Sequence, residues 1–270
     1  MKNQNIYWRF AGNEKKYLID ILKTGLKPKK RKTYNQILEK KWSKYHKLNY
    51  SITVNSCTSA LHVSFLSIGC KAGDEVLVPS LTPVMTANAI IFTGATPIFV
   101  DVDEETFLMD PQDVIKKITR KTKAILMVHM YGGVNNSSIF SKIAKKNNLY
   151  IIEDCAESMG AKDEHGVLAG KMGNIACWSF QGAKHLTCGD GGIVSTSNKK
   201  LAEKIRKYSN LGFKFLSANA DKIIINKNKL QNPETKRFEL VGYNYRMNEI
   251  SAAIALAQFE RRNYFLKLRR

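Results

Sequence analysis

The sequence lacks the features that mark membrane-spanning, secreted and fibrous proteins. No run of about 18 apolar residues occurs among its 270 residues, so we expect no membrane-spanning helix. The first residues lead into no apolar segment of the kind found in secretory signals. Glycine and proline number only 17 and 6, and aromatic residues make up 10%, which excludes collagen-like and disordered chains. These absences predict a soluble protein of the cytoplasm.

Cysteine is also scarce, and its spacing follows no known pattern. The five cysteines, an odd number, include no two at C-x-x-C spacing. Neither a disulfide framework nor a zinc site follows from such spacing, so we predict no bound metal. The cysteines are typical of small buried side chains in a reducing compartment.

Acidic residues are few relative to basic ones. Lysine and arginine total 43 against 23 aspartates and glutamates, which gives a formal charge of +20. Such a surplus favours nucleic acid, phosphorylated metabolites or anionic membrane surfaces as partners. The lysines are spread along the chain, and the dense cluster at 27–32 belongs to no aromatic-basic motif. We therefore interpret the charge as a solvated surface or as attraction of a phosphorylated substrate, and expect no nucleic-acid or membrane partner.

The apolar residues that are present alternate between two patterns, in a chain long enough for one large domain or two small ones. Short, almost wholly apolar runs predict strands at 51–54, 75–79, 97–100, 124–128, 149–152, 175–180 and 192–195. Helical spacing predicts helices that include 34–46, 58–68, 84–92, 137–146 and 199–208, with a last helix from Met247 past Phe259. Apolar strands that alternate with helices are typical of a mostly parallel sheet between helical layers. We therefore predict an α/β three-layer sandwich that binds ligands at the carboxyl ends of its strands.

Polar segments follow three of these strands. Residues 55–60 place hydroxyl and free N–H groups at a helix start, which suits a phosphate, although an ordinary Ser/Thr cap is the commoner explanation of that segment alone. Asp154 and Glu157 follow the strand at 149–152, where a carboxylate faces a bound cation or simply caps a helix. Lys184 follows the strand at 175–180, where partial desolvation frees an amine to act as a nucleophile. In isolation it would be one more surface lysine.

Taken together, these segments predict one cofactor. Pyridoxal phosphate (PLP) requires a lysine for its Schiff base, an acid that keeps its pyridine nitrogen protonated, and a phosphate cup at a helix start. The order of the cup, the acid and the lysine along the chain fits a sheet whose strand ends converge.

Seven segments, in consistent order, resemble the DegT/DnrJ/EryC1/StrS family of fold-type I, PLP-dependent nucleotide-sugar aminotransferases. They are V-N-S-C-T-S-A-L-H at 54–62, G-D-E-V-L-V-P-S at 73–80, G-A-T-P-I-F-V-D-V-D at 94–103, V-H-M-Y-G at 128–132, I-E-D-C-A-E-S-M-G-A at 152–161, S-F-Q-G-A-K-H-L-T-C-G-D-G-G at 179–192 and G-Y-N-Y-R-M-N-E-I at 242–250. The resemblance extends from about Gly12 to the final helix. It implies the large domain of the fold-type I PLP-dependent transferases.

The resemblance also implies roles for single residues. Lys184 would be the Schiff-base lysine, and Asp154 would pair with the pyridine nitrogen of the cofactor. Glu157, at a position that is often glutamine in relatives, would approach the cofactor's 3′-oxygen. His129 and Tyr131 end a predicted strand and are weaker candidates for the edge of the pocket.

The phosphate is assigned to a second set of residues by the same resemblance. Thr58, Ser59 and Ser179 would hold it. Asn244 would reach the phosphate of the neighbouring subunit's cofactor, which implies a homodimer with shared active sites.

The implied reaction moves an amino group from glutamate to a keto group of a nucleotide-linked sugar, a step of polysaccharide biosynthesis. Lys229 and Arg237 are candidates for contact with the diphosphate, from charge alone. Sugar dehydratases of the family carry histidine in place of the lysine, so Lys184 argues against that activity. Amination of a keto-inositol, a truncated and impaired relative that acts as a binding or dimer-forming protein, and a nucleic-acid binder supported only by charge remain alternatives.

The resemblance divides the chain into an N-terminal helical arm at 1–50, a PLP-binding large domain at 51–246 with a flap at 212–240, and the start of a helix at 247–270. Relatives usually continue into a small C-terminal domain that is missing here. The chain is therefore expected to be a fragment, to work without that lid, or to be impaired. Pro83 stands where many relatives place an aromatic residue that stacks on the cofactor ring.

Overall fold

The fold is built around one seven-stranded sheet. The computed structural model describes residues 7–26, 32–219 and 225–269, so most of the lysine cluster and part of the flap lie outside the described residues. The strands are β1 Tyr50–Val54, β2 Glu75–Pro79, β3 Thr96–Val100, β4 Thr122–Val128, β5 Tyr150–Asp154, β6 Ile175–Ser179 and β7 Gly192–Thr196. Within the described ranges, no helix has both the length and the apolar character needed to cross a membrane.

The sheet is mostly parallel, as predicted. Its strand order is β1-β7-β6-β5-β4-β2-β3. Strand β7 runs antiparallel to both of its neighbours, and every other pair of neighbours is parallel. The carboxyl ends of β4, β5 and β6 therefore meet at one edge of the sheet.

Helices cover both faces of the sheet. They are α1 Glu14–Thr24, α2 Tyr34–His46, α3 Cys57–Ser67, α4 Val84–Ile91, α5 Pro111–Lys117, α6 Ser137–Asn147, α7 Lys199–Ser209, α8 Lys227–Gln231, α9 Glu249–Glu260 and α10 Arg262–Arg269. Because side chains alternate along a strand, Leu126 of β4 lies in the core shared with α3 and α7, whereas Ile125 lies in the core shared with α5 and α6. A third core, around Trp42, joins α2 and α9 to β6. The predicted three-layer α/β sandwich is confirmed.

Several elements differ in extent from the prediction by one or two residues, among them β5 and α9. Strand β5 extends to Asp154 because the main chain there still pairs with β6 at Cys177. Helix α9 begins at Glu249 rather than Met247, since the Asn248 side chain caps it by accepting the N–H of Ser251 at 2.8 Å. The flap contains the short helix α8 in addition to loop.

Candidate active site

The site lies where β5 and β6 end side by side. Asp154 is the last residue of β5 and pairs with Cys177, two residues before the end of β6. Strand β6 ends at Ser179, and the chain then turns through residues 180–191 into β7, with Lys184 within the turn. The two side chains are thus delivered by adjacent parallel strands, as the carboxyl-edge argument predicts.

Lys184 is held by a carboxylate. Its Nζ donates to Oε1 of Glu157 at 2.9 Å, and both side chains are partly buried. The other oxygen of Glu157 accepts the N–H of Tyr131 at 3.2 Å. Burial acts to raise the pKa of Glu157, but the hydrogen bond and the charge of Lys184 outweigh it and lower that pKa. Glu157 is therefore an ionised carboxylate that links the Lys184 amine to the turn at Met130–Gly132, which follows β4.

Asp154 is a buried carboxylate with neutral neighbours. Its oxygens accept the N–H of Ala156 at 3.0 Å and the hydroxyl of Thr86 at 3.3 Å, and the Cys57 thiol lies 3.9 Å away. Burial raises the pKa of Asp154, although these hydrogen bonds and the charge of Lys184 oppose the rise. In the described part of the chain, no cationic side chain lies within ion-pair distance of it. The position therefore favours a protonated ligand nitrogen that would pair with Asp154.

The start of α3 adjoins Asp154 through Cys57, the first residue of that helix. Ser56 caps the helix by accepting the N–H of Ser59 at 3.1 Å, and the Ser59 hydroxyl donates to Asn55 at 2.6 Å. The first N–H groups of a helix have no intrahelical acceptor, so they offer donors to an anion. Strand β7 packs closely against the start of α3 at Gly192. Only glycine fits there, because a Cβ would lie 2.6 Å from the Ser56 carbonyl group.

The remaining predicted residues lie nearby or border the same elements. Thr58 is the second residue of α3 and is half-buried. Ser179 accepts the N–H of Gln181 at 3.3 Å, at the start of the turn that carries the lysine. Asn244 is exposed, and the carbonyl of the next residue, Tyr245, accepts the N–H of Asn55 at 2.8 Å. The structure thus brings Asn244 close in the chain to the contact with Asn55, just before α3, and leaves it exposed.

Sequence patterns do not identify two neighbours of Asp154. Thr86 lies in the first turn of α4, the helix that follows β2, and the sequence predicts for Cys57 only a small buried side chain. Both occupy helix starts that follow strands, which is the signal that could have identified them. The sequence does not predict the order of the strands, which brings the helices that follow β1 and β2 to the carboxyl ends of β5 and β6.

A hydrogen-bonded anchor lies behind the site. Glu153 is fully buried, and its two oxygens accept four donors, the main-chain N–H groups of Gly170, Met172 and Gly173 at 2.7–2.8 Å and the ring Nε2 of His129 at 3.0 Å. His129, Glu153 and Cys155 place potential metal ligands within 4.8 Å of one another. Because Glu153 is fully engaged by protein donors, we interpret this cluster as a structural anchor rather than a metal site.

The residues present fit PLP. The buried carboxylate of Asp154 calls for a cationic partner, the start of α3 for an anion, and the amine of Lys184 for an electrophile such as an aldehyde. These are the pyridinium, the phosphate and the aldehyde of that cofactor.

Comparison with known proteins agrees with this geometry. The sequence profile of the DegT/DnrJ/EryC1/StrS aminotransferase family matches residues 10–270. The chain is 39% identical over 260 residues to GDP-perosamine synthase of Escherichia coli O157:H7, which covers 96% of this chain and 66% of that protein. The chain thus spans slightly less than two thirds of this curated relative.

Solved structures show the same fold. An aminotransferase from Psychrobacter cryohalolentis superposes with a TM-score of 0.81 at 31% identity, covering 92% of this chain and 61% of that one. NtdA from Bacillus subtilis, solved with bound cofactor PMP, superposes with a TM-score of 0.79 at 30% identity, covering 94% of this chain and 53% of that one.

Proposed function

This chain belongs to the DegT/DnrJ/EryC1/StrS aminotransferase family, and we propose that it binds PLP and transfers an amino group from glutamate to a nucleotide-linked keto-sugar. The observation that carries the proposal is the convergence of Lys184, Glu157, Asp154 and the start of α3 at one edge of the sheet. The PMP bound to NtdA, the amino form of this cofactor, supports the same choice.

Each group has a separate task in holding the cofactor. The N–H groups at the start of α3, with the hydroxyls of Thr58 and Ser59, would bind the phosphate. Ser179 would join them from the end of β6. Asp154 would hold the proton on the ring nitrogen, which stabilises both charges in a buried position. When bound, the cofactor supplies an aldehyde that condenses with amines and a ring that withdraws electrons from the adjacent carbon.

The chain's own residues then handle the proton. In its neutral form, the Nζ of Lys184 would accept the proton from the α-carbon of the amino donor and would deliver it to the carbon that had been the cofactor's aldehyde. Glu157 keeps that amine within reach, because it is itself tied to the N–H of Tyr131. Glu157 would also approach the cofactor's 3′-oxygen.

The acceptor is proposed from the relatives and from charge. The name of the E. coli relative, GDP-perosamine synthase, points to a GDP-linked sugar. The formal charge of +20 favours an anionic diphosphate substrate. Within the flap, Lys229 is exposed and Arg237 half-exposed, so both are available for such contact.

A second copy of the chain would complete the site. Helix α4, whose Thr86 contacts Asp154, exposes the large apolar residues Val84, Met85 and Ile91, and the next residue, Phe92, is exposed as well. Exposed apolar clusters of this kind are typical of interfaces. A homodimer that buries them would bring a partner to the edge of the site, where the partner's Asn244 is proposed to reach the phosphate.

The cofactor proposal is tested by trapping. Purified chain is incubated with PLP, reduced with borohydride and digested, and the modified lysine is identified by mass spectrometry. We expect label on Lys184, lost in Lys184→Arg and kept in Lys207→Arg, a matched control in which the lysine pairs with Glu239 at 2.7 Å. Addition of glutamate before reduction should remove the label and the visible absorbance. Equal labelling of surface lysines would contradict the proposal.

The dimer is tested by a matched pair of substitutions. Met85 and Ile115 are both 51% exposed, but only Met85 lies on α4. Met85→Asp should shift the mass measured by light scattering to that of a monomer and weaken PLP binding, whereas Ile115→Asp should do neither. A wild-type chain that is monomeric with full PLP binding would contradict the shared site.

A further inference from the structure

The turn that carries Lys184 satisfies its N–H groups internally. The N–H of Lys184 donates to the carbonyl of Gln181 at 3.0 Å, and the N–H of Ala183 donates to the Gln181 side chain at 2.8 Å. The turn also consists of small residues at this point, Gly182 and Ala183, which offer little side-chain packing. Its carbonyl oxygens, by contrast, require donors from elsewhere.

Those donors are two arginines from the two ends of the chain. Arg9 donates to the carbonyl of Gly182 at 3.0 Å and to that of Lys184 itself. Arg269, in the last turn of α10, donates to the carbonyl of Ala183 at 3.1 Å. Three consecutive carbonyl groups are therefore each held by a guanidinium.

Arg9 is itself fixed in place. Its carbonyl accepts the side-chain amide of Gln258, a fully buried residue of α9, at 2.7 Å. Arg261 donates to the carbonyls of Trp8 and Arg9 at 3.3 Å, and the Trp8 ring lies 6.2 Å from that of Phe265. The segment that carries Arg9 is thus attached to α9 and α10, and α10 also carries Arg269.

The chemistry of the contact suits a holding role. The guanidinium is a rigid fork that bonds two acceptors at once, and its hydrogen bonds are stronger than those of neutral donors. Both arginines also act on His185, the next residue of the turn. The pKa of His185 is lowered, mainly by burial, then by the positive charge of Arg269 and to a smaller extent by that of Arg9. Among the described residues, no hydrogen bond or ion pair joins either guanidinium to Glu157 or Asp154.

We infer that Arg9 and Arg269 are positioning residues that hold the main chain of the Lys184 turn, so that its Nζ stays at Glu157. The consequence for cofactor binding rests on the proposed function. The holding of the turn does not, because it is a property of the protein alone.

The experiment separates these two levels. Arg9→Met and Arg269→Met are compared with Arg120→Met, an exposed arginine on another surface. The first readout is amide hydrogen exchange of residues 180–188, with strands β4 and β5 as an internal measure of intact folding. The second is the PLP concentration that gives half-maximal borohydride trapping on Lys184.

We expect several-fold faster exchange in the turn, with unchanged exchange in the strands. Arg9→Met should also raise the half-maximal PLP concentration about tenfold, the effect of losing two hydrogen bonds of modest net strength. Arg269→Met, which loses one such bond, should have a smaller effect. Arg9→Lys should recover part of the affinity, because an ammonium reaches only part of what the fork reaches.

Two results would refute the inference, and a third would refute only the proposed function. Unchanged exchange in the turn of both variants refutes the holding role, whatever happens to PLP. Faster exchange with unchanged trapping refutes the positioning role. A wild-type chain that never traps PLP refutes the proposed function, while the exchange data still decide whether the arginines hold the turn.

Discussion

Replacement of Glu153 by glutamine should destabilise the whole fold, although the two side chains have the same shape. The carboxylate accepts four buried donors, two on each oxygen. An amide has only one oxygen, so its NH₂ group must face two of these donors. In the better orientation it faces Gly170 and His129. A buried N–H left without an acceptor costs about 1–3 kcal/mol, and the remaining bonds lose their charge assistance.

We therefore expect Glu153→Gln to lower the free energy of unfolding by about 3 kcal/mol. The measurement is urea denaturation of the cofactor-free protein near neutral pH, followed by fluorescence and circular dichroism. Glu104→Gln is the control, because Glu104 is exposed, and its unfolding curve should match that of the wild type. PLP trapping should also weaken in Glu153→Gln, since Asp154 is the next residue of β5.

A midpoint equal to that of the wild type would refute the reasoning about Glu153. It would mean that the loop at 170–173 moves away from β5 at no cost, or that water replaces the lost acceptor. Hydrogen exchange at residues 170–173 distinguishes the two, because only the first predicts faster exchange over the whole loop.

The other predictions concern the pH dependence of stability, the buried carboxylate of Asp154 and the close packing at Gly192. Burial lowers the pKa of His46 to about 3, whereas the pKa of histidine in an unfolded chain is about 6.5. As pH falls, the unfolded state therefore takes up the proton first. Through this residue the free energy of unfolding of the wild type should fall by about 2 kcal/mol between pH 7 and pH 5. Denaturation at both pH values should show a smaller loss in His46→Phe and an unchanged loss in His165→Gln, an exposed control. Asp154→Asn should raise the unfolding midpoint of the cofactor-free protein, since burial raises the pKa of Asp154 and the charge is costly there, yet weaken PLP trapping; a lower midpoint would contradict this. Gly192→Ala should cost about 2 kcal/mol in the same assay, because the new methyl group meets the main chain of Ser56.

The sequence predicted the central strands well because burial on both faces leaves little choice of residue. Strand β2 has the predicted bounds, and so does helix α2, which ends in the left-handed residue Lys47. Errors occurred where polar residues belong to regular elements. Asp154 lies within β5 although it is an acid, because hydrogen bonds from Ala156 and Thr86 partly offset the cost of burial.

The candidate site could be predicted only in part, where neighbouring residues of the site come from strands that are consecutive in the chain. Asp154 ends β5 and Lys184 follows β6, two consecutive strands that are also neighbours in the sheet, so their proximity could be inferred from chain order. Arg9 and Arg269 come from elements whose place depends on tertiary packing, and no local pattern marks them. Thr86 is marked only by its position at a helix start that follows a strand. Glu157 was expected near the cofactor, but its bond to Lys184 became visible only in the structure.

The place of β1 in the sheet has a consequence for how the chain folds. Ser51 of β1 bonds to Ser195 of β7, 144 residues later, so β1 can pair only with a strand that is distant in the sequence. Contacts between such distant residues form slowly, and an unpaired strand is prone to aggregation in the meantime. Since α3 begins two residues after β1 ends, we expect the proposed phosphate site to form late in folding. The rate at which refolding chain becomes able to bind PLP should then report a late step of folding.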